Sequence, residues 1–199
     1  MKKYGLLAII LLLTACESYE MEQTIFVPDA TDSNLPAYTE WGYNSFGALY
    51  ERKYFLAAND IVPSKITIQN GIMTLSLSGR VAANNSSWSS RENMTLYFSF
   101  PIRETIRSYH DLVVLSQKEI DLTAASCEIK MYSNSSLTNI RVLSGHLFFK
   151  RVQLLRINEK EDRAILSGTF DLTFLRNEMP EGMTKGRFDL GIASVFVLP

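Results

Sequence analysis

The chain has 199 residues, 46% of them hydrophobic, with 20 basic against 21 acidic side chains and a formal net charge of −1. That apolar share is enough to build a core, and the length is that of one ordinary domain, so a single domain is expected. No basic stripe and no block of like charges appears, so the electrostatic footprint of nucleic-acid binding is missing and no nucleic acid is expected as a partner.

Lys2 and Lys3 open the chain, an apolar run covers 5–13, and Leu13-Thr14-Ala15-Cys16 closes it. A positive start, a short apolar stretch and small residues before a cleavage point describe a secretory signal peptide, too short for a stable membrane span. With a cysteine at the first mature position, the segment resembles the bacterial lipoprotein signal, in which that thiol is acylated and the bond before it is cut. The resemblance implies a signal peptide over 1–15, palmitate-type acylation at Cys16, and a membrane partner held through lipid. Each buried methylene contributes about 0.8 kcal/mol, so two or three acyl chains anchor durably where one does not. Losing 1–15 removes two lysines and no acid, which takes the net charge from −1 to −3. Cys127 is then the only thiol left, so no internal disulfide is expected. In Cys127-Glu128-Ile129-Lys130-Met131 the thiol shares a strand face with apolar side chains and reads as a buried structural cysteine rather than a nucleophile.

Residues 16–38 are polar and acidic, with Glu17, Glu20, Glu22, Asp29 and Asp32 beside Pro28 and Pro36, and read as a flexible tether ahead of a β domain over 39–199. Its early acids are expected to repel anionic head groups. Within it only 24–27 has the composition of a strand. A strand is predicted over 46–55. Then comes Lys65-Ile66-Thr67-Ile68-Gln69-Asn70-Gly71-Ile72-Met73-Thr74-Leu75-Ser76-Leu77, where Asn-Gly is the strongest short hairpin signal. Folding about it sets Ile68 against Met73 and Ile66 against Leu75 on one face, with Thr67 against Thr74 and Lys65 against Ser76 on the other. Residues 83–90, which include Trp88, and 133–136 read as polar loops. Strands follow at 95–100, 112–115 and 126–132, with a short helix at 102–109 after Pro101. A second hairpin spans 146–175. A turn at Glu159-Lys160-Glu161-Asp162 would place Ile157 opposite Ala164 and Leu155 opposite Leu166, and the even positions from Ala164 to Phe174 fall on one apolar face. That turn lacks the ligand spacing and glycine of a calcium loop. Strands at 187–192 and 194–198 complete an all-β, mostly antiparallel sandwich or barrel.

Three segments carry a family resemblance: Gly42-Tyr43-Asn44-Ser45-Phe46-Gly47-Ala48, Leu166-Ser167-Gly168-Thr169-Phe170 and Gly186-Arg187-Phe188-Asp189-Leu190. In their order and spacing they resemble the small, uncharacterised β-rich lipoproteins of Bacteroidetes. The resemblance implies a β-rich domain of unknown function, with no activity to carry over. Acids just after the cysteine also resemble the surface-export signals of such lipoproteins, while the leaflet stays open between surface and periplasm.

No catalytic residue stands out. His110 and His146 are the only histidines, and Ser144-Gly145-His146 and His110-Asp111 are only fragments of a nucleophilic set. No His, Cys or carboxylate cluster suits a metal, and no cofactor is expected. Glu128, Asp171 and Asp189 fall within predicted strands, where a glycosidase pair is conceivable and a solvated polar face is the simpler reading. Aromatic residues crowd one early stretch, as Trp41, Tyr43, Phe46, Tyr50 and Tyr54. Trp88, Trp41 and Tyr43 are the candidate ligand contacts, because a ring flanked by hydrogen-bonding groups suits sugars and peptides. The expected function is a non-enzymatic binding or assembly module with a glycan or protein partner. The alternatives are an accessory glycan-acting enzyme, or a carrier whose apolar cavity is lined by Phe98, Phe100 and Phe170.

Overall fold

A computed structural model of the chain describes residues 23–83 and 92–198. The expected signal peptide, Cys16 and Trp88 lie outside the described residues. The strands are β1 (Ser45–Tyr50), β2 (Lys53–Leu56), β3 (Ser64–Gln69), β4 (Ile72–Ala83), β5 (Glu92–Pro101), β6 (Lys118–Asp121), β7 (Glu128–Ser133), β8 (Ser136–Ile157), β9 (Lys160–Arg176), β10 (Met179–Ile192) and β11 (Phe196–Leu198). Pairing runs β1-β2-β4-β5-β7-β8-β9-β10 and returns to β1, every step antiparallel. The fold is therefore one all-β domain whose sheet closes into a ring. Toward one end β3 replaces β2 beside β4, and β11 lies parallel to β3 as an edge strand. Among the described residues no helix is long and apolar enough to cross a membrane.

The two walls of the ring meet through a filled core. Phe98 on β5 packs edge-on against Phe170 on β9 at 5.5 Å, and Phe149 on β8 meets Phe100 at 6.0 Å and Phe188 at 5.9 Å. Phe98, Phe100 and Phe170 are all buried, held by one another and by their neighbours. Closure makes the architecture a barrel, while opposed faces packed without a lumen give it the interior of a sandwich. Outward positions such as Thr74, Tyr97, Asp171 and Thr173 are polar. A barrel wall facing lipid has the reverse polarity.

The first hairpin has the expected register, Ile68 to Met73, Ile66 to Leu75, Thr67 to Thr74 and Lys65 to Ser76. Its turn residues Asn70 and Gly71 both take positive φ, 51° and 75°. The second hairpin differs from expectation. Its turn is the tight pair Asn158-Glu159, with φ of 48° and 64°, rather than 159–162. Ile157 therefore pairs with Lys160, and after a bulge at Leu155/Arg156 Leu154 meets Ala164 and Val152 meets Leu166. The predicted strand 46–55 is itself a hairpin, broken where Glu51 takes φ 53° and Tyr50 pairs with Lys53.

The predicted strand 112–115 and helix 102–109 are both replaced by a 3-10 helix, Tyr109–Leu115. Leu112 and Leu115 are three residues apart, so a three-residue turn buries both in the end of the barrel with Ile106 and Leu122. The helix starts late because the Asp111 carboxylate accepts the Arg107 and Ser108 amides at 2.9 and 3.0 Å, which fixes its first turn there. Those donors hold the Asp111 carboxyl below its ordinary range.

The described part of the expected tether is bound along the outside of the barrel. Ile25 N–H donates to the Tyr43 carbonyl at 2.8 Å, Ala37 N–H to the Val27 carbonyl at 2.6 Å, and Pro28 bridges Pro36. Leu35 is completely buried, and Pro36 sits where a side chain on Gly47 would come within 2.3 Å of it. Residues 24–27 form no strand of the sheet; they run beside 37–44 as one layer of this strap.

Candidate functional site

The three family-like segments stand side by side. Ser45, Phe46 and Gly47 on β1 pair with Asp189, Phe188 and Arg187 on β10, which pair in turn with Ser167, Gly168 and Thr169 on β9. At their centre Asp189, expected to face solvent, is 1% exposed. Its side chain does point away from the core, but the strap covers it. The carboxylate accepts from Thr39 Oγ1 at 2.6 Å, Gly42 N at 2.8 Å, Trp41 N at 3.0 Å, Ser167 Oγ at 3.1 Å and Tyr43 N at 3.3 Å. A buried charge is tolerable only when solvated in this way by fixed donors. Ion pairs fasten the rest of the strap: Asp29 to Arg187 at 2.6 Å, Asp32 to Lys185 at 3.4 Å and Glu40 to Arg151 at 2.8 Å. Thr31 donors, with Arg187, draw the Asp29 carboxyl down to about 2, and Arg151, then Tyr38, holds Glu40 below its ordinary range.

A groove of about 880 Å³ crosses the outer face of β3, β4 and β5. Its floor carries Thr67, Thr74, Ser76, Ser78 and the Tyr97 ring; the 59–64 segment forms one side, and Phe196 of β11 lies at the other. Neighbouring hydroxyls brace this surface, Thr74 with Ser99 at 2.8 Å and Ser78 with Thr95 at 3.0 Å. The loop wall is tied down by Ser78 N–H to the Pro63 carbonyl at 2.8 Å and by Arg80 to Asp60 at 2.5 Å. Lys65 Nζ lies 4.3 Å above the Phe196 ring. The volume falls in the range of ligand sites, and neutral hydroxyls beside an exposed ring suit a polar, extended ligand.

A second cavity, about 250 Å³, opens at the barrel end opposite the 3-10 helix. Here the groups satisfy one another. Tyr50 donates to Glu181 and accepts from Arg176 Nη1 at 3.0 Å, while Arg176 Nη2 donates to Ser133 at 2.9 Å. Burial, then the bond to Glu181, pushes the Tyr50 phenol up to about 12. The cavity is smaller than a usual ligand pocket and reads as a polar plug.

Of the candidate contacts, Trp41 is 71% exposed and Tyr43 is half-buried, both on the strap and neither lining the groove or the plug. Phe46 and Tyr50 join the core, whereas the Tyr54 hydroxyl meets Asp32 of the strap at 3.3 Å. The groove escaped sequence reasoning. Its signal was the run of uncharged hydroxyl residues at the outward positions of β4 and β5, where solvent-facing strands usually carry charges.

His110 stands between Ser108 Oγ at 3.4 Å and Glu161 at 3.2 Å on an exposed surface, with Asp111 also contacting that hydroxyl at 3.3 Å. His146 pairs with Glu119 at 3.2 Å. Neither histidine lines the groove or the plug. Glu128 and Asp171 are exposed, on β7 and β9, which β8 separates. No group of three or more His, Cys, Asp or Glu among the described residues is placed to hold a metal. Cys127 is half-buried just before β7, against the core; burial raises its thiol pKa, which disfavours the thiolate a nucleophile needs. The chain matches no protein-family model, no curated protein and no solved structure.

Proposed function

We propose that the chain is a lipid-anchored protein of the bacterial outer membrane, tethered through Cys16, that acts by binding rather than catalysis. The observation that carries the binding part of this reading is the groove over β3–β5, a braced floor of hydroxyl groups rimmed by Asp60, Lys65 and Arg163 and by the exposed Phe196 ring. The filled interior supports recognition on the outside of the barrel, since Phe98, Phe100 and Phe170 pack against neighbours instead of surrounding a cavity. The partner is an extended polar chain, a glycan or a segment of another envelope protein. A photo-reactive residue at Thr67 or Tyr97 in the native host should yield a covalent adduct, and one at Asp171 on another wall should not. Absence of adducts from both groove positions, or equal labelling from all three, would contradict the assignment.

A further inference from the structure

We infer that the outer surface of the strap is a membrane-contact face, on which Ile25, Phe26, Val27 and Trp41 enter the interfacial region of the bilayer that carries the anchor. The inference rests on the proposed acylation of Cys16. Four large apolar side chains are exposed together along one ribbon, at 48%, 47%, 38% and 71%. The ribbon is continuous, because Ile25 is bonded to Tyr43 and Val27 to Ala37, with Trp41 between those two contacts. Asp189 pins that backbone from below through the Trp41 and Gly42 amides, so the exposed indole is held in place rather than frayed. Only seven residue steps separate Cys16 from Gln23. Even fully extended they reach about 25 Å, so the strap is held within a bilayer's thickness of its own anchor.

Within the described strap charge agrees with a lipid occupant, against the repulsion expected from Glu17, Glu20 and Glu22 ahead of it. The strap acids Asp29, Asp32 and Glu40 are neutralised by Arg187, Lys185 and Arg151 of the barrel wall. Lys150 lies 4.6 Å over the Tyr38 ring, which adds a cation beside the apolar stretch where lipid phosphates would lie. Tryptophan suits this depth, since its ring is apolar while its N–H keeps a polar partner.

The test uses the acylated chain purified from membranes and reconstituted into vesicles of phosphatidylethanolamine and phosphatidylglycerol, with bromine on the upper acyl carbons of one lipid. Emission is compared between the wild type and Trp41→Phe, a change at a side chain too exposed to threaten folding; the difference is the Trp41 signal. That signal should be blue-shifted, lose most of its intensity to the brominated lipid and resist aqueous iodide. A protein that floats with the vesicles while Trp41 stays open to iodide and untouched by bromine overturns the inference alone and leaves the patch to a protein partner. A protein that does not float at all overturns the anchor, and the inference with it.

Discussion

Asp189 shows how one side chain sets the relation between barrel and strap. A carboxylate on the outer face of β10 ordinarily stays in water, yet here five donors from the strap and from Ser167 replace that water. The charge is what organises the loop 39–43, because three backbone amides turn toward it. Asp189→Asn keeps the shape and removes the charge, and its amide N–H₂ faces donors instead of accepting from them. We expect a loss of about 3 kcal/mol in denaturant unfolding, together with faster proteolysis within 23–43. Unchanged stability and protection would mean the strap is held by packing on Leu35 and Pro36 and by its ion pairs to Arg187, Lys185 and Arg151, without help from Asp189. The burial of Asp189 was not legible in the sequence, since alternation along β10 reports which face a residue takes and not what later covers that face.

At the scale of elements, hairpins were legible where the turn chemistry was strong. Asn70-Gly71 fixed the β3–β4 register correctly because a glycine at positive φ left little alternative. The turns Asn134-Ser135, Asn158-Glu159 and Asn177-Glu178 adopt the same positive-φ pair, with a strained residue second. At the β8–β9 turn, the charged run 159–162 pointed to a longer loop, and the bulge at Leu155/Arg156 then restored apolar pairing in a different register. The left-handed region costs a residue with a Cβ roughly 1 kcal/mol. Glu159→Gly should therefore stabilise the domain by about that amount, with the midpoint of urea unfolding moving up. A destabilised variant would show that Glu159 makes compensating contacts. The 3-10 helix was missed for a related reason: Leu112 and Leu115 are apolar in a short run, and so short a run does not separate a strand from a tight helical turn.

For the whole molecule, the alternation of apolar and polar residues made the all-β class plain, whereas ring closure depends on the pairing of β10 with β1 from opposite ends of the chain, which is not written locally. The strap makes the assembled domain sensitive to acid. Asp29 and Glu40 have carboxyl pKa values lowered in the folded chain, so their contribution is complete above the ordinary carboxylate range and is lost as protonation is forced on the folded state. The strap should stay docked at neutral pH and loosen as pH falls from about 4 toward 2, seen as rising amide exchange in 23–43 ahead of the barrel strands. Exchange rising at the same pH in both would show that strap and barrel unfold as one unit.

In the proposed function an acylated Cys16 is what ties this barrel to a membrane, and the mass of the mature N-terminal peptide from the native host decides it. The expected peptide begins at Cys16 and carries the mass of its acyl chains. An unmodified peptide, or one that retains residues 1–15, would contradict it.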